Sequence, residues 1–432
     1  MLKERLEQPL YYLSQWSVDG SCAVSKENSI LNHPAAKKGV KRCNELLELI
    51  QEFDKKVYDE WMSEAAQQAV LNLKTPVLSP IADSSSQFDY PLIQVNFDPK
   101  LVTLLREVKY FKLMNLSIPD EAQSLFDEGS KFRHWIASLT DASRNYNSGM
   151  MQVRPSDFNV FKPLMDLLYH EVDRLCRDVL WVSDGASNAI AGIVKKSTMF
   201  MSLVSNLLSN EAKVLQSIEQ LNQKPIVFRK KGKVFRINST REVETLLAKV
   251  SSNFPHFTTC SESVTQILNQ SFLTLSNSKE DNFELVVNEE AWQNYLNFVT
   301  DKVAEKLESL IINSLQHLLD QFKVPVPLVV PELVIDRKTK SLKFYPGEEN
   351  DDVSLLQIFQ SITETVVSVG DYFKCPNNLN ETATFLEYLS KSAKISDISD
   401  SILNNVTSAV TVLKSIKHSF NQYSWLWTVS PS

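Results

Sequence analysis

Glycine is scarce here: nine in 432 residues, about 2% where soluble proteins average roughly 7%. Dinucleotide-binding folds, phosphate loops and barrel enzymes need glycine where backbone approaches phosphate or turns with positive φ. A chain this poor in glycine is not expected to follow those plans. Cysteine is sparse as well. The five, Cys22, Cys43, Cys176, Cys260 and Cys375, are odd in number, far apart and form no CxxC pair. They read as free thiols in a reducing compartment, and a sequon such as Asn380-Glu-Thr382 is then a chance match. No run of about 18 apolar residues exists, so no transmembrane helix is expected. The start, Met1-Leu2-Lys3-Glu4-Arg5, has no apolar stretch of the signal-peptide kind.

Neither sign of charge dominates. Lys and Arg number 45 and Asp and Glu 52, a formal net charge of −7. A mildly acidic chain without a long basic stripe argues against nucleic acid and against a polybasic membrane surface. Hydrophobic residues make up 43% and charged residues 22%, enough apolar surface to build a large core. The length sets a soft prior of roughly three domains. What remains is a composition suited to long helices with few tight turns.

The periodicity fits that composition. Over 35–73, Leu46, Leu47, Ile50, Phe53, Val57, Trp61 and Ala65 recur at three- and four-residue steps and share one helical face. Pro76, Pro80 and Pro91 then break the pattern around Asp83–Ser86, read as an exposed loop between two short extended pieces. Asp98-Pro99 predicts an N-cap and first-turn proline for a helix over 99–114, with Leu101, Leu104, Leu105, Val108 and Phe111 inward. Further helices are predicted over 119–147, 157–181, and 184–223, the last capped by Ser183 or Asp184. Residues 224–237 change period and read as a hairpin or two extended pieces around the basic turn Arg229–Lys233. Helices resume over 240–252 and 260–276. Asn288 caps a long helix over 289–322, whose stripe runs from Trp292 and Tyr295 to Leu318 and Phe322. A second hairpin is predicted within 324–346. Asp351 or Asp352 caps a helix to Val369, and helices over 380–392 and 398–421 follow.

The expected fold is all-α: an elongated series of helical bundles with two short β-hairpin interruptions. The expected organisation is an N-terminal extension (1–34), helical bundles (35–223), a bundle bracketed by the two hairpins (224–346), and C-terminal helices (347–432).

Catalytic patterns are missing. The nearest phosphate-loop match runs from Gly185 through Gly192 to Lys195, Lys196, Ser197 and Thr198. Its glycines are too far apart, no Lys follows the second, and no strand precedes it. His256 and Cys260 are four apart but lack the further ligands zinc needs. His134, His170, His317 and His418 occur singly within amphipathic helices. No Ser/His/Asp order or HExxH motif is present. No catalytic, cofactor-binding or metal residue is therefore assigned, and no cofactor. The basic turn Arg229–Lys233 reads first as a solvated loop. Trp425 and Trp427 form a candidate sticky patch near the end of the chain.

One run is more specific. Val95-Asn96-Phe97-Asp98-Pro99, continuing through Leu104-Leu105-Arg106-Glu107-Val108 to Lys109-Tyr110, resembles a signature of the N-terminal tail region of dynein heavy chains. Ile118–Ala122 and Phe132-Arg133-x-Trp135-Ile136 are similar to that family's next helix. Leu180-Trp181-Val182-Ser183 resembles a later stretch, with Val182 where Asn is usual, and Lys224-Pro225 resembles the break closing the following helix. Tyr295–Val303, Ser314-Leu315 and Leu318-Leu319 resemble a later long helix. The likeness covers most of about 35–370, is closest over 95–136, and is axonemal rather than cytoplasmic in character.

The resemblance implies a piece of a microtubule motor that lacks the motor. Ring, stalk and linker lie far C-terminal to the tail in that family, and the family's extreme N-terminal dimerisation region is not recognised here. It also implies partners: dynein intermediate and light chains, other dynein heavy chains, and axonemal microtubules indirectly, with no nucleic acid and no membrane. The implied location is the cytoplasm and cytoskeleton, in a ciliary axoneme. The family-signature positions Val95, Asn96, Phe97, Asp98, Pro99, Leu104, Leu105, Arg106, Glu107, Val108, Trp181 and Pro225 are expected to be mostly buried framework. The leading expectation is thus a non-catalytic scaffold. Its rivals are a helical-rod tether or adaptor of vesicle traffic, and a nucleotide hydrolase using Gly185–Thr198.

Overall fold

The computed structural model describes residues 8, 11, 34–221, 226–227, 235–280, 283–284, 287–323, 328–336, 339–347, 353–377 and 383–428. Among these the chain is mainly α-helical, with three two-stranded antiparallel ribbons. The elements in order are α1 (Pro34–Leu71), β1 (Leu78–Ser85), β2 (Pro91–Val95), α2 (Pro99–Leu113), α3 (Asp120–Asp127), α4 (Gly129–Gln152), α5 (Pro155–Arg177) and α6 (Ala186–Leu221). Then come α7 (Thr240–Val250), α8 (Phe254–Ser276), β3 (Lys279–Glu280), β4 (Phe283–Glu284), α9 (Glu289–Asp320), β5 (Glu332–Ile335), β6 (Leu342–Tyr345), α10 (Leu355–Val367), α11 (Leu386–Ser390), α12 (Ala393–Asn421) and α13 (Trp425–Thr428). Contacts divide the chain into two compact units, residues 1–144 with 169–195, and 145–168 with 196–432.

In the first unit α1 packs on α2 and α3. Ala65 and Ala69, four apart, are its buried small residues, and small side chains let helices approach closely. Its stripe departs from expectation. Leu46, Phe53 and Val57 are exposed, at 46%, 65% and 46%. The reason is positional: the side-chain contacts of α1 with α2 begin at Tyr58 and Trp61. Helix α2 starts as predicted. The Asp98 carboxylate accepts from the Lys100 N–H at 2.8 Å, with Pro99 opening the helix. Leu101, Leu104 and Val108 are buried.

Three other expectations in this unit are corrected. Residues 78–95 are a paired ribbon rather than a loop between separate pieces, with Leu78 opposite Val95 and Pro80 opposite Ile93. The helix predicted over 119–147 is two helices, α3 and α4, separated at Glu128-Gly129, where glycine weakens helix continuity. The helix predicted to reach Trp181 stops at Arg177. Its continuation pairs elsewhere: the Val77 N–H donates to Val179 O at 3.0 Å, and the Trp181 N–H to Thr75 O at 3.4 Å. Backbone paired across to another segment cannot also close helical turns. Ser183 does not cap α6; its Oγ accepts from the Leu180 N–H.

The second unit is centred on α9, which packs on α10 and α12. Asn288 caps it by accepting from the Glu290 N–H at 3.0 Å. Tyr295, Val299, Val303, Leu307, Leu310, Leu315 and Leu318 are buried along one face. The predicted hairpin is β5–β6, in register from Glu332 opposite Tyr345 to Ile335 opposite Leu342. Helix α8 begins at Phe254, earlier than expected, with Pro255 in its first turn. The cap of α10 is Ser354, in a reciprocal capping box with Gln357, rather than an aspartate; Asp351 and Asp352 lie outside the described residues. Ser392 caps α12, which therefore starts at Ala393 instead of 398. The basic turn Arg229–Lys233 and Pro225 lie outside the described residues. Gly370 is required by space: a Cβ there would sit 2.7 Å from Leu386 backbone.

Candidate functional site

The signature residues come together in the first unit as a junction of three distant segments. Val95 ends the ribbon opposite Leu78. The next residue turns the chain into α2. The Asn96 side chain donates to Pro76 O at 2.9 Å, and its N–H to Val77 O at 3.0 Å. The Asn96 carbonyl accepts the indole N–H of Trp181 at 2.8 Å. Phe97 meets the Trp181 ring edge-on, with centroids 5.1 Å apart. Phe132 touches both rings, and Trp135 stands edge-on to Phe132. Trp181 is buried although it lies outside any helix, because its one polar atom is satisfied inside the junction.

Along α2 the signature splits by face. Leu104 and Val108 are buried, Leu105 is half-buried and Arg106 is exposed. Glu107 reaches back to α1 and accepts the Trp61 indole N–H at 2.9 Å, while the Trp61 ring lies 4.0 Å from Phe111. The junction thus holds α1, the ribbon and α2 together with the turn after α5. Its groups are neutral, hydrogen-bonded or capping, an arrangement that fixes geometry and offers no nucleophile or acid–base pair.

The other sequence candidates disperse. Residues 186–198 are continuous α-helix, so their N–H groups point along a helix axis rather than around an anion. Among the described residues no group of three His, Cys, Asp or Glu could hold a metal ion, and no helix is long and apolar enough to cross a membrane. Burial raises the Cys260 thiol, opposed by a hydrogen bond from Ser217. Trp425 is 60% exposed, while the Trp427 indole donates to Lys340 O at 3.1 Å on the β5–β6 turn.

Sequence reading missed one polar cluster in the second unit. Arg154 pairs with Asp157 at 2.8 Å and with Glu211 at 2.5 Å, both carboxylates being buried. The Arg154 guanidinium also lies over the Phe298 ring at 5.3 Å. Hydrogen bonding to Glu211 raises its pKa above its already high value, and burial opposes this. The Asp157 end was legible, three residues beyond Arg154, whereas nothing local points to Glu211.

Two exposed apolar stripes complete the inventory. On α1, Leu46, Leu49, Phe53 and Val57 are exposed, and on α12 Val412, Ile416 and Phe420 follow at four-residue steps. Both stripes are what helices present to other helices.

Comparison with known proteins points in the same direction as the signature residues. A family model described as "Dynein heavy chain, N-terminal region 1" matches residues 1–188. The chain is 23% identical over 96% of its length to "Dynein beta chain, ciliary" of Heliocidaris crassispina. Along nearly its whole length the chain is similar to the N-terminal region of axonemal dynein heavy chains. It is 22% identical over 99% of its length to "Dynein axonemal heavy chain 17" of Homo sapiens, and 21% over 88% to "Dynein beta chain, flagellar outer arm" of Chlamydomonas reinhardtii. It spans about 9% of the length of each of these three dynein chains. The matched 1–188 region contains the whole Asn96–Trp181 junction, so the dynein-tail match and the most densely connected signature residues coincide.

Proposed function

We propose that this chain is a non-catalytic scaffold: a dynein heavy chain tail segment that assembles with intermediate and light chains and with other heavy chains, and so anchors a microtubule motor in the ciliary axoneme. Its link to microtubules is then indirect, through the assembled motor. The signature residues serve as framework that sets the angle between helices, and the partner surfaces lie elsewhere.

The observation that carries this reading is the exposed stripe on α1. A long helix stands with Leu46, Leu49, Phe53 and Val57 in solvent, whereas soluble monomers keep contiguous apolar patches small. An apolar stripe at helical spacing is a surface for protein association, and the buried junction beside it offers no reactive groups. The test is capture from salt-extracted ciliary axonemes with the purified 432-residue chain, read by mass spectrometry. Recovery of dynein intermediate, light or heavy chains supports the assignment. A folded, helical chain that recovers none of them contradicts it.

A further inference from the structure

We infer that a cleft in the first unit, between the end of α1, α3, the start of α4 and the turn after Trp181, docks a short lysine- or arginine-bearing peptide segment with an apolar anchor, carried by an assembly partner. The inference rests on the assembly reading and names the chemistry of one partner.

The cleft has a volume of about 740 Å³, room for a few side chains rather than for the face of a domain. Its floor is apolar and closed: Leu73, Leu125 and Trp135 are buried. At its mouth Val70 and Val182 are exposed, at 38% and 51%, and line the same cleft. An anchor side chain packed against either valine would remove apolar surface from water.

The rim supplies the sign. Asp120, Glu121, Glu128 and Asp184 face Lys74 and Lys131 in the lining, an excess of two negative charges. Lys131 is already engaged, 3.0 Å from Glu128 and 4.7 Å above the Trp135 ring. Asp120, Glu121 and Asp184 come from two separate segments and, among the described residues, make no ion pair with another side chain. Asp120 and Glu121 also favour the N-terminus of α3, and Asp184, two residues before α6 begins, favours the N-terminus of that helix; all three nonetheless line one cleft. Anionic ligands are disfavoured by this rim, and no three of these groups could hold a metal ion. A cationic segment satisfies the carboxylates, and an apolar residue beside the cations fits the valines; charge of this kind sets partner choice and encounter rate.

The test uses the full chain with a short fluorescein-labelled peptide of Lys and Leu at helical spacing, and a matched peptide with Glu for Lys. Photo-crosslinking from the Val182→p-benzoylphenylalanine variant reports position. The variant D120K/E121K/D184K is compared with E48K/E52K/D59K, which reverses equal charge on exposed positions of α1. The expected result is a Val182 crosslink with the Lys/Leu peptide alone, and binding weakened about tenfold by the cleft triple against about twofold or less by the α1 triple. Should the cleft triple fail to fold, D120N/E121Q/D184N carries the same test. Equal weakening by both triples, or absence of the crosslink, overturns the cleft. Failed axonemal capture with an intact crosslink overturns the assembly reading and leaves the cleft's charge preference standing.

Discussion

The indole N–H of Trp181 donates to the backbone carbonyl of Asn96 at 2.8 Å, across 85 residues of sequence. Around that bond the Asn96 side chain holds Pro76 and the Phe97 ring packs edge-on against the indole. One residue at the end of a ribbon is thereby fixed to a turn that follows α5, and the direction in which α2 leaves the ribbon is set.

Replacing Trp181 separates the bond from the packing. Trp181→Phe keeps most of the ring and leaves the Asn96 carbonyl without its donor, an expected loss of about 1 kcal/mol. Trp181→Ala also empties the space between Phe97 and Phe132, for about 3–5 kcal/mol. Urea denaturation of the two variants checks the order; equal losses would mean the ring packing contributes nothing beyond the hydrogen bond.

Leu104 is buried on the inner face of α2. Leu104→Asp places an unpaired carboxylate there, and burying such a charge is costly. The far-UV circular dichroism melt should shift to lower temperature by several degrees or lose its cooperativity. An unchanged melt contradicts the assignment of that face.

In the second unit Arg154 sits between two buried carboxylates. Arg154→Ala strands both and should destabilise by about 3 kcal/mol, the lower end for a broken buried pair because the arginine is itself partly exposed. Arg154→Met paired with Asp157→Asn and Glu211→Gln should recover part of the loss, as removing the charges together avoids the stranded carboxylates. Thermal denaturation of both variants reads the difference.

Burial, then the charge of Asp173, pushes the Cys176 thiol up to about 11, with Arg177 opposing. The folded chain then holds this proton more tightly than the unfolded chain, whose thiol titrates near 9.0. That contribution to stability is complete below the unfolded value and is lost as pH rises through 9.0 towards 11. Iodoacetamide mapping at pH 8 should label Cys176 slowly in the folded state and rapidly in denaturant. Fast labelling in the folded state would contradict the burial.

What the sequence disclosed is what local rules govern. The Asp98-Pro99 start of α2 and the Asn288 start of α9 were legible because a cap is made by residues two or three apart. The β5–β6 hairpin was legible for the same reason. The end of α5 was not, because Val179 and Trp181 leave the helix to pair with residues 75–77, and no residue near them records that partner. Nor was the fate of the α1 stripe. Periodicity places Leu46, Phe53 and Val57 on one face but says nothing of whether another element of the same chain covers it. At the junction, Asn96, Phe97 and Trp181 were each marked by the family resemblance, while their mutual contact is a property of the fold alone.

The central claim is that the exposed stripe of α1 is an assembly surface. Because its side chains are in solvent, L46E/F53E/V57E should leave the melting temperature nearly unchanged. The decisive measurement is therefore capture of dynein subunits from axonemal extract by the unmodified chain and by this variant, side by side. Subunit recovery with the unmodified chain, and its loss with a variant that melts normally, is the predicted result. Undiminished recovery by the variant would contradict the claim.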